Sequence, residues 1–219
     1  SWDTDGRREI YQKAELTQEK HISLKKYCDS ANIEFLTSVF NKDDLKFLST
    51  IGMKRIKIPS HEVANIELIK EASKYFEHLL ISTGAAKWEE VLKIFNNINP
   101  EKVTFLHCVS TYPCDNEKMN LPRMASLKKL GVEVGYSGHC IGINDAIAAI
   151  ANGAKYIEKH FTIDNDLPGR DNKFAILPSD LKVLSKFAKD FEIMNIDRGL
   201  DLQKCELDTY NNYRGRWSS

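Results

Sequence analysis

Two histidines carry the strongest chemical signal in this 219-residue chain. His139 closes the run Gly135-Tyr136-Ser137-Gly138-His139, and His160 stands in Ile157-Glu158-Lys159-His160-Phe161. Imidazoles at the ends of neighbouring strands can share one divalent cation, and two nitrogen ligands leave positions open for substrate oxygens. The same pair could also do no more than hydrogen-bond near a loop. Lys57, within Arg55-Ile56-Lys57-Ile58-Pro59-Ser60, is a charge inside an apolar run, and a buried ammonium needs a partner. That partner could be an anionic substrate, a structural ion pair with Glu62 or Glu158, or a carbonyl substrate held as a Schiff base. Paired histidines do not belong to the last of these mechanisms.

Ser60, Ser82, Thr83, Ser110 and Ser137 stand beside Gly84, Gly135 and Gly138. Singly each is an ordinary turn residue, but hydroxyls and loop amides gathered on one rim form a cradle for phosphate or carboxylate oxygens. The loop Leu167-Pro168-Gly169-Arg170-Asp171-Asn172-Lys173 is polar and follows the last apolar run, as a substrate-contacting loop would. No base and orienting group can be assigned to any serine or to Cys108, so a nucleophilic hydrolase is not indicated.

These groups need elements to position them. Short apolar runs recur at 33–40, 55–60, 79–84, 102–110, 132–139 and 154–161, with starts about 22 to 30 residues apart. Amphipathic segments fill the gaps at 43–51, 62–76, 87–98 and 143–151, with Gly52 as a helix stop. Ser179 is the expected N-cap of a last helix reaching Met194, and a further helix is expected at 17–31. Strands alternating with helices indicate a parallel sheet. Ser38, Ser60, Ser82, Ser110, His139 and His160 fall at successive strand ends, which is the behaviour of a barrel rim rather than of an open sheet with one switch point. The expectation is an α/β fold of the TIM type, a (β/α) barrel with six of eight strands recognisable. Residues 1–30 lead into it, 31–195 form the barrel, and 196–219 form a tail.

Charge excludes some functions. Thirty-one basic residues balance 31 acidic ones, so no bulk field favours nucleic acid or an anionic membrane surface. No run of apolar residues is long enough for a bilayer, and the first eight residues lack a signal-peptide core. Five cysteines, none in a C-x-x-C pair, fit a reducing cytoplasm better than a disulfide framework.

With these residues assembled, the chain resembles the catalytic barrel of the N-acylneuraminate (sialic acid) synthase family. The resemblance is carried by Phe35-Leu36-Thr37-Ser38-Val39-Phe40, Lys57-Ile58-Pro59-Ser60-His61-Glu62, Ile81-Ser82-Thr83-Gly84, Leu106-His107-Cys108-Val109-Ser110-Thr111-Tyr112-Pro113, the Gly135 to His139 run and Glu158-Lys159-His160-Phe161-Thr162. Tyr11-Gln12-Lys13-Ala14-Glu15-Leu16 resembles the approach to that family's third strand. The resemblance implies condensation of phosphoenolpyruvate with an N-acylated hexosamine such as N-acetylmannosamine, giving a nine-carbon 2-keto acid and free phosphate. It implies that Ser38, Lys57, Ser60, Ser82 and Ser137 bind phosphoenolpyruvate, and that His139 and His160 hold manganese or magnesium. Tyr112 and Asp171 would contact the sugar, with Ser110 in place of a sugar-binding asparagine, and Glu158 would lie near the reacting carbons.

The chain departs from the family pattern in several places. The first two strands and the C-terminal antifreeze-like domain have no recognised counterpart. Gly138 stands where many members have aspartate, His61 where many have glycine, and Arg170-Asp171-Asn172 where Pro-Asp-His is usual. A related 2-keto-3-deoxy acid synthase and a catalytically inactive anion-binding or oligomerising module are therefore the competing readings. Uncovered barrel edges lead to an expectation of self-association, as a homodimer.

Overall fold

Alternation along each strand sorts the sequence onto two faces. In the computed structural model, which describes residues 7–217, the strands are β1 (Arg55–Ile58), β2 (His78–Ser82), β3 (Val103–Cys108), β4 (Glu133–Gly138) and β5 (Ile157–Lys159). They pair in parallel, in the order of the chain. Ile56, Ile58, Leu79, Ile81, Val103, Phe105, Val134 and Tyr136 face outward and are buried in one core. The residues between them, Lys57, Ser82, Cys108, Ser137 and Glu158, face a cavity on the concave side. A strand has a side-chain period of two, so one surface builds the fold and the other carries the chemistry.

The helices are α1 (Arg7–Ala14), α2 (Gln18–Ser30), α3 (Asp43–Thr50), α4 (Ile66–Tyr75), α5 (Trp88–Phe95), α6 (Arg123–Lys128), α7 (Asn144–Ala151), α8 (Pro178–Met194) and α9 (Leu207–Asn212). While α2 and α9 bury no residue, α3 to α8 cover the outer face. Their apolar stripes supply Leu45, Leu48, Leu68, Ile69, Ala72, Val91, Ile94, Met124, Leu127 and Ala149 to the same core. Each large aliphatic side chain buried there stabilises the fold by about 1.5–3 kcal/mol relative to exposure. A smaller cluster joins Ala146 and Ile150 of α7 to Leu184 of α8. Gly52, at φ +83°, stops α3 in the left-handed conformation that favours glycine. No helix among the described residues is long and apolar enough to cross a membrane.

The strand at 33–40 and the N-cap at Ser179 need correction. The run 33–40 is not a strand: it gives one bridge, Ser38 to Lys57, flanked by the bonds Val39 N–H to Lys57 O (3.0 Å) and Lys57 N–H to Thr37 O (3.1 Å). Ile33 and Leu36 ahead of it are 64% and 39% exposed, so there is no burial to drive longer pairing. The described residues thus hold five strands of a half-barrel rather than six. The stretch from Gln12 to Ala14, within the motif that resembles the approach to a third strand, is helical in α1. Ser179 lies inside the first turn of α8: Pro178 takes the first helical position, and the Asp180 carboxylate accepts the Leu177 N–H at 3.0 Å. The helix α6 was not anticipated, because its six residues are too short to show a period. Residues 1–6, read above as lacking a signal-peptide core, and 218–219 of the tail lie outside the described residues.

Buried histidines make the fold sensitive to acid. His107 is fully buried and its Nε2 bonds the Met119 carbonyl at 2.7 Å, yet burial still holds its pKa below the usual 6.5. His139 is lowered for the same first reason. Below about pH 6.5 the unfolded chain takes up protons that these folded imidazoles refuse, so stability present above that pH is lost as pH falls. Unfolding free energies from denaturant titrations should fall between about pH 7.5 and about pH 5.5, by up to roughly 1.4 kcal/mol per pH unit for each histidine still neutral.

Candidate active site

The β strands deliver their inward side chains to a cavity of about 820 Å³. At its floor Lys57 of β1 donates to Glu158 Oε1 of β5 at 3.1 Å, across the concave side of the sheet. Ser137 of β4 donates to the same oxygen at 2.7 Å. The lysine side chain is 7% exposed and the glutamate 42%, so the pair is buried on one side and open to the cavity on the other. Of the sequence alternatives for Lys57, the partner in this structure is Glu158 and not Glu62.

Hydroxyls line the same floor. Ser82 Oγ is buried and has no hydrogen-bond partner among the described residues. Ser60 Oγ accepts the Gly84 N–H at 3.2 Å, and Ser38 stands at the mouth. Gly84 is required by close approach: a Cβ there would lie 2.2 Å from Ser110 Oγ, 2.7 Å from Ser60 Oγ and 2.9 Å from Cys108 Sγ. Ser110 itself is turned toward this glycine and does not line the cavity, unlike the other serines expected to bind substrate. It follows β3 rather than belonging to it, so the strand's alternation no longer dictates where it points. The variant Gly84→Ala should displace Ser60 and weaken anion binding by about tenfold, or 1.4 kcal/mol. Phosphate titration checks this.

The two histidines meet at the rim. Their ring centroids are 5.3 Å apart at an interplanar angle of 59°. His139 donates from Nδ1 to the Val109 carbonyl at 3.0 Å, which fixes the tautomer and leaves Nε2 with a free lone pair. Burial, before any other cause, holds its pKa down and keeps the ring neutral. His160 Nδ1 lies 3.6 Å from Asp171 Oδ2. Tyr112 packs on His139 at 4.1 Å between centroids and edges toward His160 at 6.0 Å. Two imidazoles meeting at a rim fit a divalent cation that takes its other ligands from oxygen. No set of three metal-binding side chains occurs among the described residues.

The cavity also shows what sequence reasoning overlooked. Phe40 and His61 line it, and Cys108 reaches its wall between Ser60 and His139. A buried ion pair, Lys159 with Asp145, lies behind the histidines. Its signal was a charge inside an apolar element, the same signal that exposed Lys57. A second cavity of about 720 Å³ lies between β5 and α8, lined mainly by apolar residues such as Ile157, Leu184 and Phe191, with Lys155, Lys159 and Glu192 among them.

With this geometry in place, comparison with known proteins decides the family. Residues 1–197 match the model of the NeuB family. The chain belongs to the NeuB family. Among curated members, it is 37% identical over 186 residues to N,N'-diacetyllegionaminic acid synthase of Campylobacter jejuni, covering 82% of this chain and 56% of that protein. It is 31% identical over 187 residues to N-acetylneuraminate-9-phosphate synthase of Drosophila melanogaster, covering 83% and 50%. This NeuB-family chain therefore spans about half the length of the curated relatives it matches. The crystal structure of N-acetylneuraminic acid (sialic acid) synthetase from Leptospira borgpetersenii, in complex with citrate, superposes with a TM-score of 0.87 at 28% identity, over 97% of this chain and 77% of that one. A truncated 3-deoxy-D-arabino-heptulosonate 7-phosphate synthase from Thermotoga maritima shares the fold, with a TM-score of 0.65 at 19% identity over 82% of this chain and 72% of that one.

Proposed function

We propose that this NeuB-family chain is the catalytic portion of a synthase that joins phosphoenolpyruvate to the aldehyde carbon of an N-acylated amino sugar. The product is a nine-carbon 2-keto acid, and phosphate is released. One observation carries the reading: a buried lysine, a shelf of hydroxyls and a pair of histidines all face one cavity of about 820 Å³. The names of the relatives, synthases of legionaminic and neuraminic acids, support it.

In this reading Lys57, Ser38, Ser60, Ser82 and Ser137 hold the carboxylate and phosphate of phosphoenolpyruvate. Charge-assisted and hydroxyl hydrogen bonds suit both groups. Tyr112 and Asp171 at the rim orient the sugar. A divalent cation on His139 and His160, manganese or magnesium, would supply Lewis-acid polarisation of the sugar's carbonyl oxygen. The methylene carbon of phosphoenolpyruvate forms the new C–C bond, and the aldehyde oxygen gains a proton to become a hydroxyl. Water adds to the phosphate-bearing carbon and gives up a proton, which the Glu158 carboxylate, open to the cavity beside Lys57, accepts. The C–O bond to phosphate then breaks, leaving the 2-keto group.

Calorimetric titration of phosphoenolpyruvate, with and without manganese, tests the proposal on this chain and on a His139→Ala, His160→Ala double variant. Binding by the parent, strengthened by manganese, with the manganese effect lost in the double variant, is the expected result. If the folded parent binds neither ligand, the proposal fails and a catalytically inactive oligomerising module takes its place.

A further inference from the structure

Behind the two histidines, on the helix side of the sheet, lies a group of charges that the proposed reaction does not use. Asp145 of α7 and Lys159 of β5 form an ion pair of 2.8 Å with side chains 0% and 3% exposed. Tyr136 of β4 donates its hydroxyl to the same Asp145 oxygen at 3.1 Å. Lys159 also donates to the carbonyl of Cys140, at 2.7 Å. A buried pair of this kind is seldom needed for stability, because apolar residues of similar volume do as well or better. Its geometry offers a different account.

The β4–β5 ladder ends at the pair Gly138 and Lys159, so His139 and His160 are the first residues beyond it. Each is tied to its own loop: Cys114 N–H donates to the His139 carbonyl at 3.0 Å, and Ile176 N–H to the His160 carbonyl at 2.8 Å. Beyond the last ladder pair, Lys159 adds a further link between the two strand ends. It immediately precedes His160 in the chain, and its ammonium holds the carbonyl immediately after His139. Asp145 aims the ammonium, and it can do so only because residue 138 is glycine: a Cβ there would lie 2.4 Å from Asp145 Oδ2 and 2.4 Å from the Tyr136 ring.

We propose that Asp145 and Lys159 are positioning residues that staple the ends of β4 and β5 and thereby fix the spacing of the His139 and His160 rings. The staple sets the affinity of the histidine pair for a shared divalent cation, a consequence that rests on the function proposed above. The test is the double variant Asp145→Leu, Lys159→Met, which removes both charges and leaves neither stranded in the interior. The readouts are manganese affinity, metal-free phosphoenolpyruvate affinity and the NMR signals of the two imidazole rings. The folded variant should lose about tenfold or more in manganese affinity, the usual cost of disturbing groups that orient metal ligands. Its ring signals should shift while metal-free phosphoenolpyruvate binding stays unchanged. Should the double variant fail to fold, the isosteric Asp145→Asn carries the same comparison. Unaltered ring signals and manganese affinity in the folded variants would overturn the staple. If the parent binds no manganese, the proposed function fails, and the ring signals still decide whether the staple positions the histidines.

Discussion

Replacing Lys57 by methionine is expected to weaken phosphoenolpyruvate binding by about 100-fold, roughly the 3 kcal/mol that one charge-assisted hydrogen bond can supply. Methionine keeps the length and apolar body of the side chain, so the floor of the cavity stays filled. The fold should tolerate the change. Glu158 loses its cation, but its side chain is 42% exposed and retains the Ser137 hydroxyl at 2.7 Å, so water can solvate the carboxylate. Affinity and stability should therefore separate: calorimetry shows the loss while thermal denaturation shows little change. The reciprocal variant, Glu158→Gln, should bind phosphoenolpyruvate no more weakly, since the carboxylate that competes for Lys57 is gone. Equal loss of binding in both variants would mean that the pair is structural and that the anion sits elsewhere.

Lys159→Met on its own should produce the largest loss of stability. Asp145 is wholly buried, and one of its oxygens already has no hydrogen-bond partner among the described residues. Taking away the ammonium leaves a carboxylate with only the Tyr136 hydroxyl, and breaking a buried pair in this way costs about 3–5 kcal/mol. For a chain of this size Tm should fall by about 2–4 °C per kcal/mol, on the order of 10 °C in all. Removing Asp145 as well should restore most of that loss, because two apolar side chains no longer strand a charge. A single variant as stable as the parent would show that the pair is not enclosed.

Much of the site was legible because period and charge act locally. A lysine in an apolar strand marks itself as needing a partner, and this reading picked out Lys57 and, as one candidate partner, Glu158. Histidines that end two apolar runs stand at strand ends wherever parallel strands form, and His139 and His160 do so side by side. Alternation alone fixed that Ile56, Ile58, Leu79 and Ile81 face away from Lys57 and Ser82. Ser110, two residues past the end of β3, turns toward Gly84. The strand reading failed at 33–40 because pairing needs burial, and Ile33 and Leu36 are 64% and 39% exposed.

Other features belong to the tertiary structure, because they join residues far apart in the chain. The Lys57–Glu158 bond spans 101 positions and depends on the register of five strands curving until β1 faces β5. The tautomer of His139 depends on where the loop after β3 brings the Val109 carbonyl. Gly138 reads as a loss in the sequence, a missing carboxylate beside a histidine. In the folded chain α7 places the Asp145 carboxylate against it, within 2.4 Å of where a side chain would start. The amino-acid sequence by itself determined which residue types would stand on the rim. Their separation, their partners and their protonation were decided only when helices and strands distant in sequence packed against one another, since local propensity carries no information about register.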